Sequence, residues 1–258
     1  MLTVMTFNIR YGTAEDGPNH WRHRRDLAVA RIRAADPDLL GLQECRADDQ
    51  ADTVRAALPD YAFYGVPRGG GDDSALEMAP VLWRASAFDR LEQGVFWLSE
   101  TPQIPASKSW NSTFARVVTW VALRHRASDR TLLFASTHFD LTPTAIDGAA
   151  RVLRHWANDR AGQPLIIVGD FNAGKDSFAW GHLTAGGRLS DAYRHVWPDG
   201  GADEATFHGY GRPGGHYPID WILASPHFAS TAAAVDRHQA GGVFPSDHYP
   251  LTASLTWA

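Results

Sequence analysis

The sequence has one cysteine, Cys45, and two lysines, Lys108 and Lys175, among its 258 residues. A lone cysteine excludes an intrachain disulfide and favours a reducing, cytoplasmic setting. With so few lysines, cationic contacts must come from arginine, whose planar fork suits bidentate recognition of a defined phosphate. No apolar run approaches the roughly 20 residues that span a bilayer. The start, "MLTVMTF", has neither the basic stretch nor the small-residue cleavage site of a signal peptide, so no membrane association is expected. No Pro/Gly/Ser-rich or charge-rich stretch is long enough to serve as an interdomain linker, which predicts a single domain over residues 1–258. Internal repeats and low-complexity tracts are missing as well.

Basic charge is also scarce. Acidic residues outnumber basic ones by 29 to 24, for a net charge of -5. Proteins that hold long nucleic-acid backbones usually carry a basic excess, because phosphate neutralisation dominates their affinity. The one basic cluster, "WRHRRD" at 21–26, reads most simply as an exposed first helical turn. The histidines show no H-x3-H spacing, which speaks against zinc, and "RGGGDD" lacks the Lys-Ser/Thr partner of a phosphate-binding P-loop.

What is present is a globular composition, 44% hydrophobic and 21% charged, in which strands and helices alternate. Strands are predicted over 2–10, 39–43, 61–66, 80–83, 91–98, 116–124, 131–137, 165–168, 219–223 and 251–257. Helices are predicted over 26–35, where Pro37 stops the stripe of Leu27, Ala30 and Ala34, over 49–58, and over 144–159. Residues 67–78 read as a mobile surface loop.

Strand after strand stops at a polar side chain. Asn8 follows "VMTF", Glu44 follows "LLGLQ", His138 and Asp140 follow "LLFAST", and Asp170 and Asn172 follow "LIIVG". Asp220 sits in "YPIDWIL", and Asp247 and His248 in "PSDHYP". A single Asp after a strand is more often a turn or cap residue, and a lone His more often a structural one. The set carries the signal, since open α/β sheets gather their chemistry at strand ends. In "GDFNAG", Asp170 and Asn172 lie two apart, so an extended backbone turns both to one face, and the flanking glycines let the chain bend beside a ligand.

In order, "TFNIR", "GLQE", "STHFD", "GDFNA", "IDWIL" and "SDHYP" resemble the endonuclease/exonuclease/phosphatase superfamily of metal-dependent phosphoesterases from end to end. That superfamily includes pancreatic-type DNases, abasic-site endonucleases, inositol polyphosphate phosphatases, neutral sphingomyelinases and deadenylases. "DGPNHWRHRRD", "ARVVTW" and "ATFHGY" look most like a bacterial branch of unassigned substrate. The resemblance implies a four-layer α/β sandwich of two packed mixed sheets flanked by helices. It implies Glu44 as the main carboxylate ligand of Mg2+ or Mn2+, with Asn8 and Asp247 completing or orienting the shell. Asp170 would position or deprotonate the attacking water, and Asn172 would donate to the phosphoryl oxygens. His248, held by Asp220, would act on the other face, with His138 as a further phosphate donor.

Arg116, which opens "ARVVTW", is a candidate for added substrate charge together with Arg22, Arg24 and Arg25. Trp21 and Trp110, in polar surroundings, are candidates to flank the substrate, although tryptophans are most simply packing residues. The function implied is phosphoester hydrolysis on a compact substrate or short oligonucleotide. A DNA or RNA nuclease and a non-catalytic binding module of the same fold are the alternatives. A phosphoester substrate, nucleic acid included, is the only partner implied, with no protein partner.

Overall fold

The computed structural model describes residues 1–70, 73–201 and 204–258. The first half of the chain runs β1 (Leu2–Asn8), α1 (Trp21–Ala35), β2 (Leu39–Gln43), β3 (Cys45–Arg46), α2 (Asp49–Ala57), β4 (Tyr61–Tyr64), β5 (Glu77–Met78) and β6 (Val81–Arg84). Next come β7 (Phe88–Trp97), β8 (Val117–His125), β9 (Arg130–His138), α3 (Pro143–Asn158) and β10 (Leu165–Asp170). The chain finishes with α4 (Phe178–Thr184), β11 (Ser190–Asp191), α5 (Ala192–Val196), β12 (Asp220–Ala224), β13 (Phe228–Val235) and β14 (Leu251–Trp257).

Two six-stranded sheets result, ordered β13-β14-β1-β2-β6-β4 and β11-β12-β10-β9-β8-β7. Each is built around one parallel pair, β1 with β2 and β9 with β10, and a helix makes each crossover. The remaining pairings in both sheets are antiparallel.

Strict alternation fixes the layers. On β1, Leu2 and Val4 face the other sheet, where Val4, Leu39 and Val81 pack with Phe134, Ile166, Val168 and Ile222. Met5 and Phe7 face outward with Leu40 and Leu42, under Ala28 and Ile32 of α1 and Val54 of α2. Across the molecule, Leu165 and Ile167 of β10 face outward, beneath Ala149, Leu153 and Trp156 of α3 and Leu183 of α4. The architecture is therefore the expected four-layer sandwich of helix, sheet, sheet and helix. At Gly41 the sheets approach so closely that a Cβ would collide with Cγ2 of Val168. Among the described residues no helix is long and apolar enough to cross a membrane.

Two expectations need correction, and α4, α5 and β13 form where no element is predicted. Helix α1 begins at Trp21, not 26, because His20 caps it by accepting from the Arg22 N–H at 3.3 Å. The stretch 67–78 is not all surface loop. Its end forms β5, buried and paired with β3, while Gly71 and Asp72 lie outside the described residues. Strand β13, which the sequence pattern does not predict, forms the edge of the first sheet beyond β14.

Candidate active site

The same alternation that builds the inner layer ends it in polar groups. Asn8 and Gln43 are paired last residues of β1 and β2. His138 and Asp170 are paired last residues of β9 and β10, and Asp170 also pairs with Asp220, the first residue of antiparallel β12. All five continue inward-facing rows, so both sheets deliver their polar ends to one edge. Beneath them the apolar layer is closed by a small hydrogen-bonded floor. Gln43 Nε2 donates to Ser136 Oγ at 3.1 Å, and Ser136 Oγ donates to the Leu42 carbonyl at 3.2 Å. Asp247 and His248 arrive from the segment before β14, tied to β1 where Ser246 Oγ donates to the Asn8 carbonyl at 2.7 Å.

Glu44 and Asn172 sit just past their strands with φ of 57° and 47°. Left-handed backbone is uncommon for residues other than glycine, and here it bends the chain so that each side chain turns back over the edge.

One half of the site is anionic oxygen. Glu44 accepts from Asn8 Nδ2 at 3.0 Å and from the Tyr11 N–H at 3.1 Å. Arg10, clamped on Asp16 at 2.9 and 3.1 Å, lies 3.9 Å from Glu44 and 3.8 Å from Asp247. Burial pushes the Glu44 carboxyl up, but Arg10, the Asn8 amide and the Tyr11 N–H outweigh it and hold Glu44 below the usual carboxylate range. Asp247 is pushed up, by burial first and then by the charge of Glu44, against the pull of His248. Asn8 Oδ1 accepts from the Arg10 N–H at 2.9 Å, which fixes the amide with its NH2 toward Glu44 and Asp170. Asn8 thus presents its NH2 to the two carboxylates and its Oδ1 to the Arg10 N–H.

The other half is a carboxylate–imidazole chain. His248 Nδ1 lies 2.8 Å from Asp220 Oδ2, and its Nε2 lies 3.6 Å from Asp170 Oδ2. Burial opposes charge on His248, yet Asp220 and Asp170 raise it to about 10, which favours the imidazolium at neutral pH. Asp170 is raised to about 7 by burial and by the Asp220 charge, with His248 pulling the other way. His138 Nε2 is 3.4 Å from Asp170 Oδ2. Burial and the charges of Arg116 and Arg68 keep this imidazole neutral, well below its ordinary value.

Two places in this site have the composition to hold a cation. Ligand atoms of Asp170, Asp220 and His248 lie within 4.8 Å of one another. There His248 already holds Asp220 at 2.8 Å, so one imidazole stands between the two carboxylates. Glu44 and Asp247 offer oxygen alone, with the guanidinium of Arg10 at 3.9 and 3.8 Å, and such an oxygen set suits a hard divalent ion such as Mg2+ or Mn2+.

The edge opens into a cleft of about 930 Å3. Glu44, Asp170, Asn172, Asp247, His248 and His138 line it, and Arg116 lies in its wall. Asn172, half-buried in the cleft wall, donates from Nδ2 to the Phe139 carbonyl at 3.0 Å, and the same nitrogen lies 3.1 Å from His138 Nε2. Asp140 does not face the cleft. It accepts from the N–H groups of Thr113, Phe114 and Thr142 and thereby holds the segment that carries Arg116.

Other candidates fall elsewhere. Trp21 is buried in the outer core of the first sheet, with the Arg24 guanidinium 5.2 Å from its ring. Arg24 is fully buried and donates to the carbonyls of Ile9, Arg10, Asn19 and Pro245, so none of its charge is offered to a ligand. Arg22 and Arg25 are exposed on α1, outside the cleft wall. Trp110 packs flat against Gly148 of α3, where a Cβ would collide with its ring. Lys175 is buried in ion pairs with Asp191 and Glu204, each at 2.8 Å. Conversely, Arg10, Asp16, Arg68, Glu77, Phe114 and Tyr210 line the cleft although the sequence pattern does not mark them as site residues. Arg10 belongs to the ordered motif "TFNIR", two residues past the end of β1, and Asp16 and Tyr210 fall in "DGPNHWRHRRD" and "ATFHGY".

A four-layer sandwich whose inner layer ends in converging carboxylates, imidazoles and an amide is the architecture of a phosphoesterase class. The chain belongs to the Endonuclease/Exonuclease/phosphatase family, whose model matches residues 5–248. It is similar in structure to an endonuclease/exonuclease/phosphatase from Bacteroides vulgatus, with 28% identity and a TM-score of 0.88 over 100% of this chain and 99% of that one. A mannosyl-6-phosphatase from Bacteroides thetaiotaomicron gives 28% identity and 0.87 over 100% of both chains. In sequence it is 26% identical to Nocturnin of Mus musculus over 96% of this chain, which spans 63% of that protein's length.

Proposed function

We propose that the protein hydrolyses phosphoester bonds in a compact substrate or a short oligonucleotide, with Mg2+ or Mn2+ held by Glu44 and Asp247 and oriented by Asn8. When bound, the ion supplies Lewis acidity toward the non-bridging oxygens and offsets the buried carboxylate charge. The remaining chemistry belongs to the chain. Asp170, with its carboxyl near 7, is suited to orient and deprotonate the attacking water. His248, kept protonated by Asp220, is suited to donate to an oxygen on which negative charge develops. His138 adds a neutral donor, and Arg116 adds fixed charge in the wall.

The observation that carries this reading is the Asp170–His248–Asp220 chain, with 3.6 and 2.8 Å separations, beside the Glu44–Asp247 pair at the mouth of a single cleft. A compact substrate is favoured over a long duplex because the exposed arginines of α1 stand outside that cleft. The likeness to a mannosyl-6-phosphatase supports the same choice. We place the protein in the cytoplasm on the strength of its single, buried cysteine. A panel of phosphomonoesters, phosphodiesters and oligonucleotides, assayed with Mg2+, Mn2+ and EDTA, tests the proposal. Turnover that EDTA leaves intact would refute it, and plasmid DNA as the best substrate would establish the nuclease alternative.

A further inference from the structure

Arg116 carries a charge that the described residues do not fully use. It is only 5% exposed, and neither Nε nor Nη1 has a hydrogen-bond acceptor among the described residues. Asp140 approaches Nε only to 3.6 Å, and its own oxygens are already engaged by Thr113, Phe114 and Thr142. A buried guanidinium with donors to spare is costly to keep, and that cost is offset when an anion binds.

Its surroundings hold it in place without satisfying it. The guanidinium lies 5.2 Å from the centre of the Phe114 ring, which Arg68 approaches at 4.6 Å. Arg68 differs, for it donates to Glu77 at 3.0 Å and to the Ser74 carbonyl at 3.0 Å. A second hollow of only about 10 Å3, roughly one water, lies between Arg68, Glu77, Arg116 and His138. His138 lines the same wall of the cleft as Arg116 and lies 3.4 Å from Asp170, so the spare donors of Arg116 stand on the side of the proposed reacting phosphate.

We infer that Arg116 recognises the terminal, dianionic phosphate of a phosphomonoester, which makes the enzyme a monoesterase. A monoester phosphate carries a second charge and ends in free oxygens that match a guanidinium fork. A diester carries one charge and has one free oxygen fewer to offer the spare donors of Arg116. This inference rests on the proposed hydrolase activity and narrows it to one substrate class.

The test compares kcat/KM for p-nitrophenyl phosphate and bis-p-nitrophenyl phosphate, with Mg2+, in the parent protein and in Arg116→Met and Arg116→Lys. The monoester-to-diester ratio should fall about 100-fold in Arg116→Met, in keeping with loss of a charge-assisted hydrogen bond, and less in Arg116→Lys. Added ethylguanidinium should restore some of the Arg116→Met loss. Equal losses on both substrates, or a parent protein that prefers the diester, would overturn the assignment. If the parent protein cleaves neither compound, the hydrolase reading fails, and calorimetric titration with inorganic phosphate decides on Arg116 alone. A Kd at least tenfold weaker in Arg116→Met, and nearer the parent value in Arg116→Lys, supports the site. Equal affinities in all three proteins refute it.

Discussion

Asp170 and Asp220 are direct partners across the β10–β12 ladder, and His248 bridges their carboxylates, with Nδ1 2.8 Å from Asp220 and Nε2 3.6 Å from Asp170. The Asp220 charge opposes ionisation of Asp170, and the imidazolium of His248 favours it. With Asp170 raised to about 7 and His248 to about 10, the active pairing of carboxylate and imidazolium exists between those values. The pH profile of kcat/KM should be bell-shaped, rising at or below about 7 and falling toward 10. Removing the Asp220 charge lowers both values, so Asp220→Asn should move both limbs toward lower pH. A profile of Asp220→Asn that superimposes on the parent would contradict the coupling.

Asp170 and His248 act as one unit in this account. Asp170→Asn and His248→Ala should each lower kcat by about 10^4-fold, and the double variant should be little worse than either alone, because groups that share a transition state are strongly non-additive. A single-turnover double-mutant cycle measures this. Full additivity would separate the two residues.

The scarcity of free basic charge fixes the expected response to salt. Arg24 and Lys175 are buried and engaged, and Arg22 and Arg25 stand on α1 away from the cleft. Activity on a phosphomonoester or a short single strand should exceed that on duplex DNA and fall only modestly between about 50 and 200 mM salt. A log–log slope of binding to DNA that corresponds to several neutralised phosphates would show a basic track that the fold does not display.

Arg24 is structural, and its loss should show in stability. Its guanidinium holds the carbonyls of Ile9 and Arg10, just beyond Asn8, and that of Pro245, just before Ser246. Arg24→Met leaves these carbonyls without their donor and should cost roughly 3 kcal/mol, or about 6–12 °C in Tm. Activity should fall as well, since Asn8 and Asp247 lose their common anchor. An unchanged Tm by calorimetry would contradict this role.

The legible regions of this molecule are those where a periodic pattern and a chemical punctuation mark coincide. Strands β1, β2, β10 and β14 combine apolar alternation with a sharp polar stop or start, and each agrees with its predicted span to within a few residues. Strand β13, "FASTAAAV", has little β-branched or aromatic content and is partly exposed, so only its pairing with β14 makes it a strand. The cleft follows the same division. Asp170, Asp220 and His248 stand beside strand ends in recognisable order, whereas Arg68 and Phe114 lie in loops and Glu77 in the two-residue strand β5, none of which local pattern specifies. Trp21 and Arg24 mislead because polar neighbours in "WRHRRD" conceal helical spacing that turns these two side chains inward.

Calorimetric titration of Glu44→Gln with Mg2+ bears most directly on the assignment of the metal and, through it, on the proposed hydrolysis. Glu44 lies at the inner-layer edge, held by Asn8 and the Tyr11 N–H, and the substitution keeps its shape while removing its charge. The folded protein should persist with a Tm near the parent value, bind Mg2+ at least tenfold more weakly, and lose nearly all turnover. Binding of Mg2+ to Glu44→Gln at parental strength would contradict the assignment of the metal to the Glu44–Asp247 pair.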